Sequence, residues 1–536
     1  MVRKNAKKLV AKTKKNALLI KVVAAKTKKQ KKLLTTKLKK QNLLKRNHNL
    51  TAEFNINASD NGGIFIFVPM AYKKITGQDL QFFNSVNGIK AVLTDSDNLD
   101  RCAGDETEDL HYLPEVVVEP ETVQAISTIM KYCNEQLIPV TPRGAGTGLS
   151  GGALPVLGGV VLDMRRFNKI IKLDKRNLQV TVEPGMITQE LQDAVKAEGL
   201  FYPPDPASKG SCFIGGNVSE NSGGPRAVKY GVVKDYVLNI EMVLPNGEVI
   251  WTGANVLKNA TGYNLTQLVV GSEGTLGVIT KIVLRLIPAV KHDLLMLVPF
   301  RKATEACEAV NAIFMAGYTP SALEFMERDA LEWSMKYTKA TGVALPDDIA
   351  AHLLIEVDGN NPDELYKEME AISGIVQQYD IDEVLFADSH EQKQMLWTLR
   401  RKVGEAVKSN SIYKEEDTVV PRAELPELLS IVKAIGKEYG FQSVCYGHAG
   451  DGNLHVNIVK GSMSDEDWND KLTGGIRKLF AEVVRMGGTI SGEHGIGLVQ
   501  KGYMDIAFNN TQLQIMKSIK QVFDPNGILN PGKIFA

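Results

Sequence analysis

The sequence predicts a protein of mixed helices and strands, divided into two or three domains. Its 536 residues exceed what one hydrophobic core usually serves, and a composition of 44% hydrophobic and 23% charged residues is ordinary for an enzyme. A strand–helix–strand pattern over residues 113–141 runs directly into a glycine-rich loop. Beyond Pro288, strand-like segments alternate with helical ones, which is typical of a sheet covered by helices.

The first predicted elements lead into the glycine-rich loop. A strand over 114–120, an amphipathic helix over 121–135 and a strand over 137–141 precede it, and the loop itself, 143–152, holds five glycines in ten residues. Glycine relieves the steric cost of unusual dihedral angles, and successive exposed amides form a concavity that binds anions. Such a backbone can grip the pyrophosphate of a dinucleotide cofactor, although a plain flexible turn remains an alternative interpretation.

The loop differs from the common dinucleotide-binding motif. Gly146, Gly148 and Gly151 satisfy the G-x-G-x-x-G spacing, but that fold needs a helix that begins directly at the loop. Here a strand-like run over 160–164 comes next. We therefore expect the loop to join two strands across a phosphate site.

The following segment is predicted to hold a strand, a helix and a hairpin. The strand covers 178–185, the helix 188–199, and the hairpin turns at Asn246–Gly247. Between them, residues 202–230 are too polar and too rich in glycine, proline and serine for regular structure, yet too long for a simple connector. Long ordered loops usually carry function, so we expect a functional loop here.

A second domain is predicted beyond Pro288, after a return of dense strand character over 268–288. Its alternating pattern suggests an α/β domain that covers the substrate. The predicted strands are 294–300, 321–327, 353–359 and 381–387, and the predicted helices are 302–316, 362–378 and 389–408.

Charge and cysteine usage narrow the class of protein. The first 50 residues hold 18 of the 63 lysines and arginines and no acidic residue, so the remaining chain has 45 basic against 62 acidic residues. A lysine block of this kind is a disordered tail, a nucleic-acid arm or a contact with an anionic membrane. The sequence contains no uninterrupted apolar run of 18 residues, so no membrane-spanning helix is predicted. Five scattered cysteines without a C-x-x-C pair argue against iron–sulfur clusters and thiolate zinc sites, and suit core residues in a reducing cytoplasm.

Two further glycine-wrapped motifs hold three of the eight histidines. His448 and His455 flank a glycine-rich turn that can fold both imidazoles toward one point, while Glu493 and His494 are adjacent in SGEHGIG. Two histidines and one carboxylate are a recurrent ligand set for a catalytic zinc, manganese or ferrous ion. His494 then stays free as a base, although polar surface is an alternative for the histidine pair.

Seven segments occur in one order along the chain: RGAGTGLSGG, PPDPAS, GGNVSENSGG, VVGSEGTLGVIT, GHAGDGNLH, SGEHGIG and DPNGILNPGKIF. With them the chain resembles the FAD-linked 2-hydroxy-acid dehydrogenases, a family of D-lactate dehydrogenases and glycolate oxidase catalytic subunits within the vanillyl-alcohol-oxidase-like superfamily. The resemblance runs from about residue 80 to the C-terminus. It implies an α+β fold, with a two-subdomain FAD-binding domain of the vanillyl-alcohol-oxidase (PCMH) type and an α/β cap domain of the FAD-linked oxidase C-terminal type.

The implied domains are 70–288 for FAD binding, 289–487 for the substrate cap and 488–536 for a C-terminal segment that returns to the flavin. Residues 1–69 are predicted to be a disordered basic extension or a misassigned start, with the mature enzyme beginning at Met70. No histidine lies in the glycine loop and only His111 lies shortly before it, which predicts noncovalent FAD. For Glu273, a structural carboxylate that caps a turn is the alternative to cofactor contact. The residues that the resemblance places at FAD are Pro142, Arg143, Gly144, Ala145, Gly146, Thr147, Gly148, Ser150, Gly151, Pro206, Ser208, Gly215, Gly216, Asn217, Ser222, Gly223, Glu273, Ile279 and Asn530.

The resemblance also assigns the catalytic residues. His448, His455 and Glu493 match the ligands of a divalent metal, and His494 matches the base. Arg400 matches the residue that grips the substrate carboxylate, for which planar bidentate guanidinium recognition is suited. Neighbouring Arg401 and a plain solvated helix face are alternatives, and Lys414 is a weaker candidate.

The implied reaction is the FAD-dependent oxidation of a 2-hydroxy acid to the 2-oxo acid, by hydride transfer to flavin N5. D-lactate is the first choice of substrate, followed by glycolate and 2-hydroxyglutarate; a noncatalytic FAD electron-transfer subunit and another reaction on the same scaffold are the rival interpretations. An electron-transferring flavoprotein is the expected acceptor, with a quinone or an iron–sulfur subunit as alternatives. The body is expected to bind no nucleic acid and to lie in the cytoplasm or at the membrane periphery.

Overall fold

A computed structural model describes residues 72–107 and 110–535 of the chain. These residues belong to one compact unit, Met70–Ala536. The predictions of a basic extension over 1–69 and of a start at Met70 lie outside the described residues. No helix in the described part of the chain has both the length and the apolar character needed to cross a bilayer.

The described strands form three larger sheets and one short ribbon. The orders are β1-β2-β4-β3, β5-β6-β10-β8-β9, β15-β12-β14-β13-β17-β18-β16 and the pair β11-β7. The strands are β1 Ile89–Leu93, β2 Val116–Pro120, β3 Val140–Arg143, β4 Val160–Asp163, β5 Ile170–Asp174, β6 Gln179–Val182, β7 Leu200–Phe201, β8 Val237–Val243, β9 Val249–Trp251, β10 Val278–Arg285, β11 Ile287–Pro288, β12 His292–Phe300, β13 Ala322–Glu327, β14 Ala351–Gly359, β15 Leu385–Phe386, β16 Tyr413–Val419, β17 Gln442–Gly447 and β18 Asn453–Val459.

The α-helices of the described residues lie between and beside these strands, which confirms the predicted α+β class. They are Gly77–Ser85, Ser96–Arg101, Val123–Gln136, Thr188–Lys196, Ile214–Glu220, Ala227–Tyr230, Leu265–Val269, Ala303–Met315, Arg328–Thr338, Pro362–Val376, His390–Arg401, Val403–Asn410, Leu425–Tyr439, Asp465–Arg485, Met504–Ala507 and Asn510–Phe523.

The first sheet positions the glycine-rich loop. Strands β2, β4 and β3 are parallel, with Leu162 opposite both Val118 and Pro142. Valines and isoleucines pack this sheet against the helix Val123–Gln136, whose N-terminus is capped by the Thr122 hydroxyl. The loop leaves β3 and re-enters at β4 without an intervening helix, which confirms the expectation that it joins two strands.

The second sheet is antiparallel and carries the predicted hairpin. β8 pairs with β9 across the Asn246–Gly247 turn, where Gly247 has φ +87°, a region that favours glycine. β10 lies at the centre of the sheet, between β6 and β8. Its Ile279, Ile282 and Leu284 belong to the same core as the apolar residues of the helix Thr188–Lys196.

Four local predictions were wrong. The stretch 202–230 contains two short helices: in the first, Ile214 and Val218 are buried in an apolar core that composition does not reveal, whereas the second has no buried side chain. Within 268–288, strand structure begins only at Val278, after a helix and a glycine-rich turn. The expected strand over 381–387 shrinks to the two residues of β15, and the expected helix over 389–408 is interrupted at Lys402.

The seven-stranded sheet is antiparallel, and helices pack on both of its faces. Along β14, Leu353 and Ile355 enter one core and Leu354 enters the other, as the two-residue period of a strand requires. One face is covered by helices such as Leu425–Tyr439, and the opposite face by the helix His390–Arg401 and its neighbours. The chain then returns to the first sheet, where the backbone amide of Asn530 donates to the Val140 carbonyl at 2.8 Å.

Candidate functional site

A cavity lies between the first two sheets, beside the glycine-rich loop. Of the residues that the sequence places at FAD, Pro142, Arg143, Gly144, Gly215, Gly216, Glu273 and Ile279 line it. Met164, Pro184, Ser219 and Glu220 line it as well, and sequence reasoning missed them. A Cβ at Gly148 or Gly216 would meet open space, so the backbone of both segments is accessible to a ligand.

The Arg143 guanidinium is used within the protein. It is 6% exposed and donates to backbone carbonyls, among them that of Gly104 at 2.7 Å and that of Ala153 at 3.4 Å. These bonds hold the start of the glycine loop against the segment before β2. The charge of Arg143 thus holds the loop, and the residue also lines the cavity.

Glu273 connects the cofactor cavity with the SGEHGIG loop. Its carboxylate accepts the amides of Ile496 at 2.8 Å and Gly497 at 2.6 Å. The Asn530 side chain donates to the carbonyls of Glu273 and Gly152. The structure therefore gives Glu273 the turn-capping role, in addition to its place in the cavity wall.

The other predicted cofactor residues lie on segments around this cavity. Asn217 donates to the Thr188 hydroxyl at 2.6 Å, and the Gly223 amide donates to Glu493 Oε2 at 3.1 Å. The second contact joins a predicted cofactor segment directly to a predicted metal ligand. Ser150 instead lines a second cavity, which it shares with Lys414, Glu415 and His494. The remaining predicted residues line neither of the two cavities; they are Ala145, Gly146, Thr147, Gly148, Gly151, Pro206, Ser208 and Ser222.

The predicted metal ligands meet at one point. His448 follows β17 and His455 lies in β18, so the hairpin between these strands brings the two rings to 5.4 Å between centroids. Glu493 Oε1 lies 3.2 Å from His448 Nε2 and 3.6 Å from His455 Nε2. One ligand atom from each residue lies within 4.8 Å of the others, which suits a divalent ion. His494 stacks on His455 at 5.1 Å.

Burial and neighbouring charges shift the pKa values of the residues in this cluster. Burial alone would lower the pKa of His448, but Glu324 and Glu493 outweigh burial and raise it well above its ordinary value. Burial lowers the pKa of His455, so this ring is neutral. Despite burial, the neighbouring histidines hold the pKa of Glu493 below its usual range. The pKa of His494 is raised because Asp417, Glu415 and Glu493 outweigh burial.

Glu324 is a buried carboxylate that the sequence analysis missed. Both of its oxygens lie 2.9 Å from His448 Nδ1, and Oε2 lies 2.7 Å from Arg400 Nη2. Because a carboxylate only accepts, His448 Nδ1 carries the proton, which leaves Nε2 directed at Glu493. A signal was available in SALEFME, where Leu323 and Phe325 face one core and an acidic residue lies among the apolar residues of the opposite face.

The residues predicted to bind the substrate carboxylate, Arg400, Arg401 and Lys414, lie in different surroundings. Arg400 is 5% exposed, is paired with Glu324 and lies 4.9 Å from the Tyr446 ring centroid. Arg401 is paired as well, and donates to Asp205 Oδ2 at 2.9 Å. Lys414 lines the same cavity as His494.

Two protein-family descriptions match the chain. Residues 114–253 match "FAD binding domain", and residues 290–534 match "FAD linked oxidases, C-terminal domain". Together they cover both the glycine-rich loop and the histidine cluster.

Several curated proteins resemble the chain over most of its length. A "D-lactate dehydrogenase" of Anaerostipes hadrus is 37% identical over 86% of this chain and 98% of that protein. The "Glycolate oxidase subunit GlcD" of Bacillus subtilis is 38% identical over 81% of this chain and 91% of its own length. A "D-2-hydroxyglutarate dehydrogenase" of Stutzerimonas stutzeri is 33% identical over 83% and 96%, respectively.

Solved structures share the fold at low sequence identity. p-Cresol methylhydroxylase has a TM-score of 0.68 with 20% identity, over 85% of this chain and 96% of that one. The 4-ethylphenol oxidase of Gulosibacter chungangensis has a TM-score of 0.66 with 17% identity, over 87% and 99%. These likenesses confirm the predicted PCMH-type fold alone.

Proposed function

The chain belongs to the FAD-linked oxidases, and from this membership we propose that it oxidises a 2-hydroxy acid, D-lactate first, to the 2-oxo acid. The observation that carries the proposal is the meeting of His448, His455, Glu493 and His494 beside a cavity that also contains Ser150 of the glycine-rich loop. This arrangement supports a substrate held between a cofactor and a base. The relatives that bear 2-hydroxy-acid names support the same substrate class.

The side chains present fit both implied groups. Two imidazoles and one carboxylate would hold zinc, manganese or iron, which polarises a bound hydroxyl. The open backbone at Gly148 and Gly216 fits the close approach of a pyrophosphate to the loop. FAD bound there would supply the two-electron acceptor that this oxidation needs.

In this proposal His494 removes the proton of the substrate hydroxyl. Its ring lines the cavity with Lys414 and Glu415. Glu415 and Asp417 stabilise the imidazolium that results, since both raise the pKa of His494. The cation of Lys414 orients the substrate carboxylate from the same cavity. Arg400 adds positive charge from the side of His448 where Glu324 lies.

The test is the visible spectrum of the purified protein under anaerobic conditions. D-lactate, L-lactate and glycolate are added in turn, and bleaching of the flavin band by D-lactate is the expected result. Bleaching by glycolate alone would transfer the assignment to a glycolate oxidase subunit. A flavin that no 2-hydroxy acid bleaches would favour the noncatalytic electron-transfer subunit, and a protein without flavin would overturn the proposal.

For the acceptor and the location, we propose an electron-transferring flavoprotein in the cytoplasm. Two electrons must leave after each turnover, and the sequence has no C-x-x-C pair typical of an iron–sulfur centre that could receive them. Mixing substrate-reduced enzyme with an electron-transferring flavoprotein should restore the flavin band faster than mixing it with a quinone analogue. The opposite order, together with recovery in a membrane fraction that salt washes release, would favour a peripheral quinone-linked enzyme.

A further inference from the structure

The loop that carries Glu493 and His494 is anchored to a single carboxylate oxygen of β16. Asp417 Oδ2 accepts the backbone amides of Gly492 at 2.8 Å, Glu493 at 2.7 Å and His494 at 2.9 Å, and the Ser491 hydroxyl at 3.1 Å. Three successive amides that point at one oxygen form an anion nest. Asp417 therefore belongs to the seven-stranded sheet, whereas the residues that it holds belong to the segment 488–536.

The second oxygen of Asp417 faces the hairpin that carries the histidines. Oδ1 accepts the Asn453 side-chain amide at 2.7 Å and lies 3.6 Å from His455 Nδ1. Asp417 is 2% exposed, so these charge-assisted contacts form away from water, where they are strong. Through its two oxygens this carboxylate contacts both the loop of Glu493 and the strand of His455.

Beyond Asp417, the loop is held at its far side by Glu273, which accepts the amides of Ile496 and Gly497. Glu493 and His494 lie between Gly492 and Gly495, and they belong to no helix or strand. Glycines increase the conformational freedom that a backbone loses on ordering. A ligand and a base must nevertheless keep their geometry to within a fraction of an ångström.

We propose that Asp417 is a positioning residue, which fixes the ligands Glu493 and His455 and the base His494 relative to one another. The inference rests on the proposed function, because it concerns the same metal site and base. Asp417 acts through hydrogen bonds to these residues and has no assigned contact with the substrate.

Asp417→Asn is the direct test, since the amide has the shape of the carboxylate but offers only one acceptor oxygen. If that oxygen faces the nest, the NH2 group faces the Asn453 donor; if it faces Asn453, the NH2 group faces the three amides. In the FAD-loaded protein, Zn²⁺ should bind about 10- to 100-fold more weakly, the range expected when a support of a metal ligand is lost. Hydrogen exchange of residues 489–498 should accelerate, kcat should fall more than KM rises, and the flavin spectrum should not change.

Asp79→Asn is the matched control. Asp79 is fully buried and also accepts several hydrogen bonds, from Thr76, Tyr132 and Lys73, but it lies in the first described helix, remote from the histidine cluster along the chain. This substitution should lower thermal stability without changing Zn²⁺ affinity, measured by competition with a chromophoric chelator. A loss of Zn²⁺ affinity equal to that of Asp417→Asn would overturn the positioning role.

The remaining outcomes separate the inference from the proposed function. A wild-type protein that binds no divalent metal would overturn both. A wild type that binds metal and is reduced by a 2-hydroxy acid, beside an Asp417→Asn variant of equal affinity and loop exchange, would overturn the positioning role alone. If Asp417→Asn does not fold, Ser491→Ala removes one donor to the same oxygen and should weaken Zn²⁺ binding in the same direction; unchanged affinity and exchange would then count against the inference.

Discussion

At the residue scale, the proposed reaction depends most on His494. His494→Gln keeps the size and polarity of the side chain but removes the basic nitrogen, so flavin reduction by D-lactate should slow by about 10²- to 10⁴-fold. FAD should remain bound, because the cavity beside the glycine loop is untouched. Anaerobic stopped-flow spectra measure the rate, and His111→Gln, at a side chain 55% exposed, is the control that should reduce normally. Reduction of the flavin at the wild-type rate in this variant would show that His494 is not the base.

Also at the residue scale, the buried His352 should make the stability of the protein depend on pH. It is 1% exposed in β14, neither ring nitrogen has a described partner, and burial lowers its pKa to about 4. The unfolded chain therefore takes up this proton at higher pH than the folded protein does, and stability is lost as the pH falls from the ordinary pKa of about 6.5 towards 4. The loss between about pH 7 and pH 5 is roughly 2 kcal/mol. Thermal midpoints of His352→Phe should fall less over this interval than those of the wild type; equal falls would contradict the assignment.

At the scale of elements, the segment after the helix Asn510–Phe523 bridges two residues of the cavity beside the glycine-rich loop. Asn530 has φ +42° and bridges the carbonyls of Gly152 and Glu273 through its side chain. Asn530→Ala loses these bonds and the tolerance of asparagine for this backbone region, so FAD affinity should fall about 10-fold or more. Fluorescence titration of the apoprotein with FAD measures this effect. Asn509→Ala, which removes an exposed helix cap, is the control. A Kd for FAD equal to that of the wild type in both variants would refute the role of the Asn530 bridge.

At the scale of the whole molecule, the two proposed sites draw on different parts of the fold. FAD is assigned to the cavity between the first two sheets, whereas the metal ligands come from β17, β18 and the C-terminal loop. A chelator should therefore abolish reduction by the substrate while the flavin stays bound and is still reduced by dithionite. Added Zn²⁺ or Mn²⁺ should restore the activity. Loss of flavin together with the metal would show that the two sites are not separable.

Local pattern was sufficient for most elements and for the members of the site. Strand-like apolar segments predicted β12, β13 and β14, because residue type and segment length can be seen directly in the chain. The short helix Ile214–Glu220 was missed, since its Ile214 and Val218 are buried by distant strands and not by neighbours in sequence. Periodicity cannot report such a contact.

The sequence by itself determined the fold class and the glycine-rich loop between two strands, and it selected the residues of the proposed metal site and the proposed base, because these depend on residue type, spacing and order. Only the tertiary structure decided what surrounds them. Glu324 and Asp417 lie more than 75 residues from at least one group that they hold, His448 in one case and His494 in the other. It also decided that the Arg143 guanidinium binds backbone carbonyls and that Arg400 is paired with Glu324. The physical reason is that a buried charge takes whichever partner the fold brings to it, and that partner cannot be identified from adjacent sequence.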